Sequence, residues 1–214
     1  MTTATRPDHA RKPVSNAGPL QWRSIVDWLR ADGVISAEQA ERTIARCAQA
    51  ESSQHPLVRL GNLSMLRAAD DKPLDVDMLT EYVAQRCGLA FLRIDPLKVD
   101  VGRVADAMSA SYAERHKVLP VQVSGSEVVV ATAEPFVNDW VAEVERQTKR
   151  QVRRVLANPQ HITRYTAEFF ALAKSVREAN KSGGSAGGSS FEQLVELGKS
   201  NKQLDANDQG VVKV

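Results

Sequence analysis

The sequence is poor in the residues that most often carry chemistry. Aromatic side chains make up 5% of its 214 residues, and there are two cysteines and four histidines. No stretch reaches the ~20 consecutive apolar residues of a membrane helix, and the opening MTTATRPDHARKPVSNAG has no apolar run to act as a signal-peptide core. The expectation is a cytosolic chain. Charge of one sign is scarce as well: 28 Lys and Arg face 26 Asp and Glu, a net charge of +2. Such a balance gives no field that would make nucleic acid or an anionic membrane the main partner, and the three tryptophans form no stacking pattern.

Three kinds of active site are missing from the pattern. A nucleotide-hydrolysing loop needs glycines followed by Lys and Ser or Thr, whereas the glycines at 183 to 188 run into Ser189, Ser190 and Phe191. His9, His55, His116 and His161 stand at no metal-ligand spacing from one another or from Cys47 and Cys87. No Gly-x-Ser-x-Gly turn presents a nucleophile. The chain is therefore read as having no catalytic residues and no metal site. Cys47 and Cys87 fall within helical patterns, where a reduced, half-buried thiol is the ordinary role.

What is present is enough apolar content, 43%, to build a core. Residues 1–18 have the composition of a disordered tail. Trp22, Ile25, Val26 and Leu29 recur at helical spacing up to Gly33. Ser36 with Gln39 makes a capping box for a second helix through Ala40, Ile44 and Cys47. A second hairpin follows: Val58, Leu60, Leu63 and Leu66 suggest a helix ending near Ala68, and Asp75 caps another that carries Leu79, Tyr82 and Val83 to Gly88. The two hairpins read as a degenerate tandem repeat over 19–90.

From 91 to 180 the pattern turns to α+β. AFLRI, VLPVQV, EVVVAT and QVRRVLA read as strands, with helices after Asp100, from about Val137 to Arg146, and after Asn158 and Pro159. The closing helix keeps Ile162, Tyr165, Phe169, Leu172, Ala173 and Val176 on one face. Residues 181–190 are a Gly/Ser linker, and 191–214 read as the start of a further domain. The fold class is thus α+β, with amino-terminal tandem helical-hairpin repeats, a small mixed domain and a flexible linker.

Two local features ask for a role. Lys149, Arg150, Arg153 and Arg154 suit phosphate contact, but along QVRRVLA they read better as charges guarding an exposed edge strand. Arg59-Leu60-Gly61 puts a guanidinium at a helix start beside a glycine that would admit a ligand to the backbone, which fits phosphate or guanine. From these three residues alone it reads better as a solvated arginine beside a packing leucine.

Three segments together resemble the amino-terminal region of type II secretion and type IV pilus assembly ATPases, with helical repeats of the MshEN type. They are the repeat with Arg-Leu-Gly running to Cys87-Gly88-Leu89-Ala90-Phe91, the RIDPLKVD, SYAERHKVLPVQV and VVVATAEPF series, and KQLDANDQGVVKV. The resemblance implies a non-catalytic regulatory and docking region, cytoplasmic and peripheral to the inner membrane through a partner, the cytosolic domain of a platform protein. It also implies a motor domain after Val214 that uses ATP and Mg and assembles as a homo-hexamer. In some family members the repeats bind cyclic di-GMP. The positions that match that ligand pattern here are Arg59, Leu60, Gly61, Leu79 and Val83, with Arg86 standing where the pattern has glutamine and Gln85 one residue early. The first repeat has Ser24, Val26 and Cys47 in place of the arginine, glycine and glutamine.

Overall fold

A computed structural model describes residues 18–183, with side chains through residue 180. The amino-terminal tail, the segment 191–214 and all but the start of the expected linker lie outside the described residues. The chain divides at Phe170, and residues up to that point form one compact unit.

Four helices come first: α1, Trp22–Ala31; α2, Ala37–Gln49; α3, Pro56–Gly61; and α4, Val76–Cys87. Their ends are chemically specified. The Ser36 hydroxyl accepts from the Gln39 N–H, the Asp75 carboxylate accepts from the Met78 N–H at 2.7 Å, and Gly88 ends α4 in the left-handed region at φ 69°. Their inner faces share one core containing Ile25, Leu29, Leu57, Leu60, Leu79 and Val83. α3 is shorter than its apolar spacing predicts. It stops at Gly61, and Ser64 and Asp71 take positive φ in a loop closed by a bridge between Leu66 and Pro73. Leu66 is consequently exposed, although Met65 and Leu74 still reach the core.

The sheet follows: β1, Ala90–Phe91; β2, Val118–Val123; β3, Glu127–Thr132; and β4, Gln151–Leu156. The strand order is β1-β4-β3-β2, with β1, β4 and β3 parallel and β2 antiparallel to β3. Two short helices, α5 (Val101–Ala107) and α6 (Ala110–His116), precede β2, and α7 (Val141–Thr148) links β3 to β4. The last helix, α8, runs from Pro159 to Gly183, so the first three residues of the expected linker are helical.

Alternation along the strands loads the two faces differently. Val129, Ala131 and Val155 pack with Ile162, Tyr165 and Phe169 of α8, whereas Val128 and Val130 pack with Trp140 and Val144. Leu156 at the end of β4 joins the helical core instead. In the second unit, described from Ala171, Leu172 and Val176 are 51% and 48% exposed rather than part of a buried face.

The edge-strand reading of β4 is corrected by this topology. β4 lies between β3 and β1 because the β3–α7–β4 crossover returns it beside its parallel neighbour. Only Val155 and Leu156 face β1, however, so Gln151–Arg154 keep one open side. There the Glu145 carboxylate accepts the Val152 N–H at 3.0 Å.

Candidate functional site: the Arg59 and Arg86 contacts

Arg59 sits in α3, whose start is fixed by Pro56 in the first turn and by His55, whose Nδ1 accepts the Leu57 N–H at 3.2 Å. The Arg59 guanidinium points back at the carboxyl end of α2. Its Nη2 donates to the Cys47 carbonyl at 2.5 Å and also to the Ala50 carbonyl. A cation there satisfies carbonyls that the helix leaves open and complements the helix dipole. The same guanidinium lies 5.5 Å from the centre of the Trp22 ring, and Arg23 approaches that ring at 5.1 Å.

Gly61 is explained by packing. A β-carbon there would lie 2.6 Å from Val76 Cγ2 and 3.0 Å from the Val76 nitrogen, so only glycine lets α3 approach the start of α4 this closely. Leu60, Leu79 and Val83 are fully buried in the helical core. Of the residues matching the ligand pattern, the structure therefore gathers three as core and leaves the arginines to make polar contacts.

Arg86 makes the second such contact. Its Nη1 is 3.3 Å from Asp32 Oδ1, with the side chains 18% and 5% exposed. The Tyr82 hydroxyl donates to Asp32 Oδ2 at 2.8 Å. The Arg86 Nε is buried and has no hydrogen-bond partner among the described residues. Gln85, one residue earlier, is exposed. Arg59 and Arg86 belong to the second hairpin, and each holds the first: one through the end of α2 and Trp22, the other through the turn after α1. Sequence reasoning missed Trp22, Asp32 and Tyr82 as polar partners. The signal for Asp32 was an acid beside the glycine that ends a helix, which is also the composition of any solvated turn.

An open recess of about 600 Å³ lies beside this contact, lined by Gln21, Trp22, Glu51, Gln54, Pro56 and Arg59. Among the described residues, no group of three His, Cys, Asp or Glu side chains could hold a metal ion. Burial pushes the Cys87 thiol up to about 11, against a smaller opposing effect of Arg86, and burial also raises Cys47 despite Arg59 and Arg46. Neither thiol has the lowered pKa of a reactive cysteine.

The three arginines of the basic run are taken up within the chain too. Arg150 donates to the Ser124 and Thr148 carbonyls, Arg153 pairs with Glu127 at 3.0 Å, and Arg154 donates to the Pro135 carbonyl.

The structure of MshE with cdg is alike with a TM-score of 0.50 at 17% identity, covering 68% of this chain and 97% of that one. That of the N-terminal domain of XpsE has a TM-score of 0.43 at 16% identity, covering 67% and 91%.

Residues 87–176 match the model of the MshEN domain. The type IV pilus assembly ATPase TfpB of Acinetobacter baylyi is 31% identical over 200 residues, which is 91% of this chain and 33% of that protein. The chain thus spans about a third of the length of the curated relative it matches.

Proposed function

We propose that the chain is the regulatory and docking region of a type IV pilus or type II secretion assembly ATPase, and that it joins the motor to the cytosolic domain of an inner-membrane platform protein. The observation that carries this is the 31% identity to TfpB over 91% of the chain, together with the MshEN domain. In this reading the protein is cytoplasmic and reaches the inner membrane through its partner. ATP and Mg belong to a motor domain outside these residues, and the complete ATPase is a hexamer. The hairpins over 19–90 are the tandem repeats, 91–180 is the domain that follows them, and the Gly/Ser residues after α8 lead towards the motor. The likeness to TfpB favours a pilus. The test is co-purification with the cytosolic domain of the neighbouring platform protein: this chain retains it on a column, and absence of retention counts against docking.

A second reading, a cyclic di-GMP receptor, is favoured by the likeness to MshE, whose structure was solved with cdg. A cyclic dinucleotide offers two phosphates and two guanines, so tight binding draws on charged contacts from both repeats, each worth about 1.5–3 kcal/mol. Here Arg59 is engaged by the Cys47 and Ala50 carbonyls, Arg86 by Asp32, and the first repeat supplies Ser24, Val26 and Cys47. Losing two such contacts moves a micromolar affinity towards millimolar. Calorimetry with cyclic di-GMP is expected to give no micromolar isotherm. One that appears, and that Arg59→Ala abolishes, makes the chain a receptor.

A further inference from the structure

We propose that a cavity at the carboxyl ends of β3 and β4 binds a small molecule with an apolar body and one anionic group, a carboxylate or a phosphate. Its volume is about 460 Å³, within the range of small-molecule pockets. Its place in the fold is the first argument. In open sheets with parallel strands, ligands are held beyond the carboxyl ends of those strands. Here β3 and β4 both end at the cavity, through Ala133 and Pro159.

The lining is the second argument. Val58, Ala133, Pro159 and Ile162 give it an apolar floor, and Lys117 and Arg164 stand on its rim. Lys117 ends α6 at φ 52°, a left-handed conformation usually taken by glycine, and its ammonium has no acidic partner among the described residues. Arg164 gives its Nε–H to Glu168 at 2.7 Å. The one acid in the lining, Glu134, is already engaged: one oxygen accepts the Leu20 N–H at 2.6 Å and the other faces His55 Nε2 at 3.2 Å. The cavity therefore has an acidic end already in contact with the chain's own Leu20 and His55, and a cationic end that holds Lys117 in reserve. It is separate from the recess beside Arg59, with which it shares only Gln54.

The test uses the full chain and three probes: indole-3-acetate, phenyl phosphate and the uncharged indole-3-acetamide. Amide resonances of Ala133, Gln160 and Thr163 are followed by heteronuclear NMR. Both anions are expected to move them saturably, with the amide binding about fivefold more weakly, the contribution of one exposed ion pair. Lys117→Gln removes that preference, and Thr163→Trp, at an exposed position on the lining, blocks all three probes. The proposal is overturned by shifts that do not saturate at these amides, by equal binding of anion and amide, or by an unchanged preference in Lys117→Gln. Lys117 is exposed, so this variant decides the matter even if Thr163→Trp does not fold.

Discussion

At the scale of the residue, arginine and glycine in Arg59-Leu60-Gly61 are each accounted for by the fold's own needs. Arg59 closes two carbonyls at the end of α2 and stacks on Trp22, and Gly61 makes room for Val76. The sequence held both readings of the arginine open, because three residues do not say which acceptors a long side chain will meet. Replacing Arg59 with Ala leaves those carbonyls without a donor. It is expected to lower stability by about 1–2 kcal/mol in urea unfolding, a value below that of a buried charged hydrogen bond because the site is partly exposed. A change within 0.5 kcal/mol, in the ~±0.5 range of ordinary surface substitutions, would remove the capping role.

Cys87 gives a residue-scale prediction with a pH axis. With its pKa pushed up to about 11, the thiolate fraction at pH 8 is roughly a hundredth of that of a thiol at the ordinary value of 9.0. Alkylation by iodoacetamide should be correspondingly slow in the folded chain and rise about tenfold per pH unit between 8 and 10. The unfolded chain ionises first, so the contribution of the neutral thiol to stability is present below about 9 and declines as pH rises towards 11. Fast alkylation at pH 8 in the Cys47→Ser background would contradict the burial of Cys87.

At the scale of the element, helix starts were the most legible feature. Ser36, Asp75 and Asp100 were read as caps, and each accepts the N–H three residues on. Such contacts are local, so sequence spacing specifies them. α6, Ala110–His116, buries only Ala113 and so offers no apolar stripe in the sequence, although Ser109 caps it. β1, with two residues, was legible only as part of AFLRI. The placement of β4 between β1 and β3 depends on pairing between residues more than twenty positions apart, and an edge strand and an inner strand of this length share a composition.

The hairpin-to-hairpin contact makes an element-scale prediction. Asp32 and Arg86 are mostly buried together, so removing either leaves the other's charge exposed to a poor environment. Arg86→Ala and Asp32→Ala are each expected to cost about 2–4 kcal/mol, and the double variant less than their sum. Additive losses in a double-mutant cycle would mean that the pair does not couple the hairpins. Gln85→Ala, at an exposed position, is the control that should change little.

At the scale of the whole molecule, residues 87–176 match the MshEN domain model, and a relative 31% identical over 91% of the chain is a pilus assembly ATPase. The resemblance was legible from the order of the motifs. What the sequence could not show is how the candidate ligand residues are used, because the contacts of Arg59 and Arg86 with the first hairpin are tertiary. With Leu60, Leu79 and Val83 buried, and both arginines engaged within the chain, the paired hairpins are held together by their own side chains. Under the proposed docking role, this makes the hairpins a constant surface rather than a ligand-gated one. The most direct test is titration calorimetry of this chain against the purified cytosolic domain of the platform protein from the same system, with and without cyclic di-GMP. The account predicts one-to-one binding that the dinucleotide leaves unchanged. Absence of binding, or binding that requires the dinucleotide, would contradict it.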